Sequence, residues 1–211
     1  MHTASTLPQT TSAVATTSAP VHKHSVWGTA VRFTLIVTVL FGLGYPLAIT
    51  LAAHVLFQHQ AEGSLILKNG QVVGSELLAQ SFTSDKYFHP RPSAAGNGYD
   101  ATSSGGSNLA QSNTKLIQRI QGDIDKLSKE SGGKPVPIDL VTTSGSGLDP
   151  DITPDAAYFQ AARVAKARGV NAEQIRTLIG QHITGRQFGL LGEPRVNVLL
   201  LNLDLDRISG K

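Results

Sequence analysis

The residues with chemistry to offer gather in one stretch, YFHPRPSAAGNGYDATSSGGSN, from Tyr87 to Asn108. His89 could serve as a base, Ser104 as a nucleophile and Arg91 as a fixed cation. A serine activated by a histidine performs acyl transfer. One reading is therefore a hydrolase that uses Ser104, or Ser146 in the second Gly/Ser loop, with His89 as its base. The other is binding: Tyr87, Phe88 and Tyr99 supply aromatic contact area, with His89 and Arg91 as polar contacts. Aromatic and arginine side chains concentrate energy at protein interfaces. The stretch has four glycines, four serines and two prolines in 22 positions, and no Val, Ile, Leu or Met. It cannot form a core helix or strand. Structureless runs beyond about 12–15 residues in a compact domain are functional or disordered.

Motifs that would establish an enzyme do not occur. SSGGSN (Ser103–Asn108) and TSGSG (Thr143–Gly147) lack the Gly-Lys-Ser/Thr ending of a phosphate-binding loop. No Gly-x-Ser-x-Gly elbow and no His-Glu-x-x-His pair is present, so the hydrolase reading has no supporting motif and no metal site is expected. The loop TSGSGLDPDITP (Thr143–Pro154) reads as a structural turn, since Asp and Pro favour turns independently. His182 lies among apolar helix positions and reads as a satisfied core histidine.

Net charge is +3 over 211 residues, and Lys23 and Arg32 are the only charged residues before Glu62. From Gln58 onward 16 basic residues face 15 acidic ones, which is no nucleic-acid footprint. The absence of cysteine excludes disulfides and thiolate chemistry.

The elements that must position these residues divide the chain in three. Residues 1–26 are Thr/Ser/Ala-rich without apolar periodicity and are expected to be a disordered cytoplasmic tail. Residues 30–57 hold a transmembrane helix with its core at Phe33–Ala53, 21 residues without charge. At about 1.5 Å per residue, such a helix spans roughly the thickness of a bilayer. Lys23 and Arg32 precede it and no Lys or Arg follows until Lys68, so the N-terminus is expected inside and the domain outside. Pro46 with Gly42 and Gly44 predicts a kink near Tyr45. Gly44, Ala48 and Ala52 form a small-residue face suited to packing on a partner helix.

Residues 58–211 form one α+β or α/β domain. SLILKNGQVVG predicts a hairpin turning at Asn69-Gly70. Leu116, Ile117, Ile120, Ile124 and Leu127 make a helical stripe, ended by Gly132 or Gly133. Thr153, Pro154 and Gly169 cap a second helix, whose basic run Arg163, Lys166, Arg168 reads as a solvated face. A third helix opens at Asn171 and is expected to bury Ile175, Leu178, Ile179 and Ile183; RVNVLLLNLDL (Arg195–Leu205) reads as a strand.

Three segments in order, YFHPRPSAAGNGYDATSSGGSNLAQSN, VPIDLVTTSGSGLDPDITPDAAYFQAARVAKARG and LLGEPRVNVLLLNLDL, resemble the C-subunit family of bacterial Kdp potassium-transporting ATPases. The resemblance covers about Val31 to Leu205, the single span included. It implies a non-catalytic accessory subunit of a high-affinity potassium importer in the bacterial plasma membrane. Its implied partners are a channel-like potassium-translocating chain, a P-type ATPase chain and a small single-helix chain. ATP, Mg2+ and K+ then belong to the complex, with no cofactor bound by this chain directly. SSGGSN is similar to the signature loop of ABC transporters, but the expected topology places Ser104, Gly105, Gly106, Ser107 and Asn108 outside, away from ATP. Together with Tyr87, Phe88, His89, Arg91 and Tyr99, these residues are candidates for docking on the partners.

Overall fold

The computed structural model describes residues 25–208. Apart from Ser25 and Val26, the expected N-terminal tail lies outside the described residues. The chain divides into two compact units between Ala52 and Ala53.

The apolar helix begins earlier than its composition suggests, because Ser25 caps it by accepting the Gly28 N–H at 3.3 Å. Helix α1 (Val26–Val37) passes into a π-helical segment, Thr38–Gly44, and then into α2 (Tyr45–Leu56). Just before Tyr45, where a kink is expected, the helix takes this π form, with the Tyr45 N–H bonding the Leu40 carbonyl five residues back. Pro46 has no N–H, and its ring crowds the carbonyl four residues before it, so a wider turn relieves the mismatch. The run Val26–Leu56 is long and apolar enough to cross a membrane, and none of its most apolar window is buried.

In the second unit, α3 (Gln58–Ala61) leads to the hairpin β1 (Leu65–Lys68) and β2 (Gln71–Ser75). Asn69 and Gly70 have φ of 55° and 77°, the left-handed pair that a type I′ turn requires. The long loop follows, then α4 (Thr114–Glu130), capped by Asn113. The apolar stripe of α4 is only half-buried, and Ile117 is exposed. A 3-10 turn (Ile138–Leu140) and the Gly/Ser loop precede β3 (Asp151–Ile152). Then come α5 (Pro154–Arg168), α6 (Ala172–Gln181), β4 (Ile183–Thr184), β5 (Arg195–Asn197) and α7 (Val198–Ile208). The three short strands form an antiparallel sheet in the order β3-β5-β4. The core joins Val164 and Ala161 of α5, Ile175 and Ile179 of α6, Val196 of β5, and Leu201 and Leu205 of α7.

The predicted strand Arg195–Leu205 is three residues of strand followed by a helix. Asn197 makes the change: its side chain accepts the Leu200 N–H at 3.1 Å, as a helix cap does. Buried Val198, Leu201, Asn202 and Leu205 then recur at helical spacing. The run of leucines hid that period behind a strand-like one.

The loop at Phe88 and His89 enters the core with no strand beside it. Two side-chain amides satisfy its backbone instead. Asn202 of α7 accepts the Phe88 N–H at 2.8 Å and donates to the Phe88 carbonyl at 3.0 Å. Gln160 of α5 does the same for His89, at 2.8 and 3.0 Å. Both amides are buried, and the Phe88 ring is fully enclosed. Replacing Asn202 with leucine orphans two buried backbone groups at about 1–3 kcal/mol each. Urea unfolding of the detergent-purified protein is expected to show a loss of about that combined size in Asn202→Leu, and no loss would show that the clasp contributes nothing to stability.

Candidate functional site

The loop from Tyr87 to Asn108 is ordered, and most of its polar groups are engaged within its own domain. Tyr87 is half-buried, with the Arg168 guanidinium over its ring at 4.8 Å and its hydroxyl donating to Asp206 at 3.3 Å. Arg168 is nearly enclosed and pairs with Asp206 at 2.8 Å while donating to the Lys86 carbonyl at 2.7 Å. Arg163 donates to the carbonyls of Asp85 and Tyr87 and to Gln160. The basic run of α5 is therefore no solvated face: Arg163 and Arg168 hold the loop's entry, and only Lys166 stays exposed. Backbone carbonyls are recognition targets that residue types in a sequence do not reveal.

Further along, Arg91 pairs with Asp149 at 3.0 Å, with longer contacts to Thr142 and Thr143. The turn Thr143–Pro154 is thus structural in a specific sense, because it supplies the counter-charge for Arg91. The Tyr99 hydroxyl donates to the Arg91 carbonyl at 2.8 Å, and burial pushes the pKa of that phenol up. Ser93, which sequence reasoning missed, is the hub. Its hydroxyl donates to the Gly147 carbonyl at 2.6 Å and accepts the N–H groups of Ala95 and Tyr99.

The two Gly/Ser loops are joined edge to edge. The Gly105 N–H and the Ser104 hydroxyl both donate to the Ser146 carbonyl, at 2.8 and 3.0 Å. Gly147 sits at φ 68°, where a Cβ would lie 2.6 Å from the Gly105 carbonyl oxygen and 2.7 Å from the Ala95 nitrogen. Only glycine fits there. Gly106 packs similarly against the Gly145 carbonyl. Gly105, Gly106 and Ser107 are half-buried, while Ser104 and Asn108 are exposed on the rim.

His89, Tyr99, Phe82, Leu127 and Arg163 line a cleft of about 370 Å3 beside α4. The His89 ring bonds the Ser84 carbonyl at 3.1 Å. Desolvation, and then the nearby Arg163 charge, hold the His89 pKa below its usual value. The hydroxyl of Ser146 engages the Leu148 N–H and Ser144. Among the described residues no hydrogen bond joins His89 to Ser104 or Ser146, so the geometry does not favour the hydrolase reading. His182 is paired with Asp204 at 3.0 Å and is half-buried. No group of three or more metal-ligating side chains occurs among the described residues.

One membrane-length helix followed by a mixed helix-and-sheet domain, with its polar clusters turned to holding its own loops, defines a single-pass anchored α/β domain. Comparison with known proteins makes this specific. The family model for KdpC, described as the c chain of the K+-transporting ATPase, matches residues 27–207. A potassium-transporting ATPase KdpC subunit from Acidobacterium capsulatum is 58% identical over 180 residues, 85% of this chain and 97% of that protein. One from Koribacter versatilis is 56% identical over 178 residues, 84% of this chain and 92% of the relative. One from Myxococcus xanthus is 52% identical over 189 residues, 88% and 90% respectively. The chain belongs to the KdpC family and is an accessory subunit of a potassium import complex.

A histidine held neutral by the fold binds fewer protons than its unfolded counterpart. Its contribution to stability is full above the ordinary value near 6.5 and declines as pH falls from there through the lowered folded value. Melting temperature followed from pH 8 to pH 5 is expected to fall less steeply in His89→Gln than in the parent; identical slopes would rule out this linkage.

Proposed function

We propose that the chain crosses the membrane once with its N-terminus in the cytoplasm, and that its domain docks on the outer face of the complex to stabilise the assembly. The basic residues Lys23 and Arg32 on the leading side of the span support this orientation. The transported ion passes through a channel-like chain and ATP with Mg2+ is handled by a P-type ATPase chain, with a small single-helix chain completing the set. This chain binds none of those ligands itself. Its helix packs through Gly44, Ala48 and Ala52, which are exposed and share one face. The π segment ends at Gly44, so α-helical spacing holds across all three.

The observation that carries the docking reading is the interlocked pair of Gly/Ser loops. Fixing a glycine-rich loop costs about 1–2 kcal/mol of backbone entropy per residue. A loop held rigid in advance incurs less ordering cost when a partner arrives. The exposed rim, Ser104 and Asn108 with Gly105 to Ser107 beneath, is such a prepared surface.

A C-terminally tagged chain drawn from potassium-starved cells in mild detergent is expected to bring an ATPase chain and a large polytopic chain, with potassium-stimulated ATP hydrolysis. Recovery of the tagged chain alone would overturn the assembly role. In the same experiment, Ala48→Leu is expected to reduce recovery of the polytopic chain severalfold, by holding the helices apart. Ser104→Arg is expected to weaken assembly, with only the small fall in melting temperature that loss of its bond to the Ser146 carbonyl entails. Full recovery with either variant would remove that surface from the interface.

A further inference from the structure

Helix α4 is held to its domain differently from the other long helices. None of its 17 residues is buried, whereas α5, α6 and α7 bury six, three and five. Its polar bonds are internal. Arg119 pairs with Asp123 at 2.9 Å, Gln121 donates to Asp125 at 2.8 Å, and the Ser131 hydroxyl donates to the Ser128 carbonyl at 3.1 Å. Among the described residues, no hydrogen bond or ion pair joins residues 114–133 to anything beyond the Asn113 cap. Apolar contact is what remains, and within the stripe of α4 it is Leu127 that packs against the core cluster. Apolar attraction is non-directional, so it holds the helix down without fixing one orientation.

The helix stands over the cleft of about 370 Å3. Leu127 and Glu130 line the cleft from α4, and Phe82, His89 and Phe159 line it from the body of the domain. Both attachments of α4 are exposed chain, residues 108–112 before it and 132–135 after it. Gly132 and Gly133 sit at φ 70° and 86°, and nothing lies within 4 Å of the place a Cβ would take on either. Two adjacent glycines with free space around them can change φ and ψ at little steric cost. Segments that move to uncover a site are those with few buried apolar contacts. Their hinges are a few terminal or loop residues that absorb the change in dihedrals. Helix α4 meets both conditions.

We propose that α4 is a flap over this cleft: the intact helix swings on Gly132 and Gly133, with residues 108–112 as the slack second attachment, and alternately covers and uncovers Phe82, His89 and Phe159. The flap is a property of the domain itself and makes no use of the docking surface proposed above.

The chain has no cysteine, so introduced cysteines carry spin labels without background. In the full-length chain in detergent, Lys129→Cys with Lys166→Cys places labels on exposed positions of α4 and α5. Lys166→Cys with Gln174→Cys, exposed on α5 and α6, is the control pair. Two distance populations are expected for the first pair and one for the control. Leu127→Ser, which weakens the contact with the core, is expected to raise the ratio of the longer to the shorter distance about fivefold. The control distance and the far-ultraviolet circular dichroism are expected to stay unchanged. A single distance between α4 and α5 in the parent chain would overturn the proposal. A second distance whose share Leu127→Ser leaves unaltered would also overturn it. So would a loss of helical circular dichroism in that variant with the control distance intact, since α4 would then melt instead of swinging.

Discussion

Two carboxamides decide how this domain can exist. An extended segment that enters a core must have every buried N–H and C=O bonded, and a sheet is the usual source of partners. Phe88 and His89 have no strand beside them. Asn202 and Gln160 take its place, one from α7 and one from α5, each bonding both backbone groups of a single residue. The segment is thereby fixed between two helices, and Phe88 is carried into the core.

The next constraint is how a glycine-rich run stays ordered without apolar residues. Ser93, Arg91, Tyr99 and the 144–147 turn answer it with hydrogen bonds to backbone carbonyls. Such bonds are individually modest, about 0.5–1.5 kcal/mol net. They act together because each fixes a residue that supports the next. The Arg91–Asp149 pair ties the two loops across a gap of 58 residues in sequence. Gly147 is the steric counterpart: the close approach of three chain segments leaves no room for a side chain.

Local chemistry in this fold was legible in the sequence where one residue type has one strong use. Asn69-Gly70 gives the hairpin, Thr153 with Pro154 and Gly169 bounds α5, Asn171 opens α6, and the uncharged run gives the membrane helix. What was hidden depended on tertiary partners. The leucines after Asn197 satisfy strand and helix patterns alike, and burial of Asn202 among them decides for the helix. Arg163 and Arg168 looked solvated because their partners are carbonyls of residues about 80 positions away. Within the candidate site, sequence composition located the loop. The inward roles of its aromatics, with Phe88 wholly enclosed, required the packing to be seen. Of the exposed residues near Phe188, Leu190 and Leu191 open a segment read only as part of a family resemblance, since nothing in FGLLG says which way it faces, and Phe188 precedes that segment.

The two conspicuous loops of the domain therefore use their side chains in opposite ways. From Tyr87 to Asn108, the aromatics and Arg91 turn inward, and small residues and short polar ones, Asp100 among them, reach the surface. From Gln187 to Leu191, the backbone closes on itself and the large side chains are left outside. A surface of small, rigid residues admits close approach but supplies little apolar area, whereas a projecting Phe and two Leu supply area but little breadth. Burial of apolar area is worth about 25 cal/mol per Å2, so the tip carries more potential binding energy per residue than the rim. In a subunit already confined to the membrane by its own helix, the search for a partner is short. Docking of the kind proposed above would then need only modest patches, because confinement raises the effective concentration of one surface for the other.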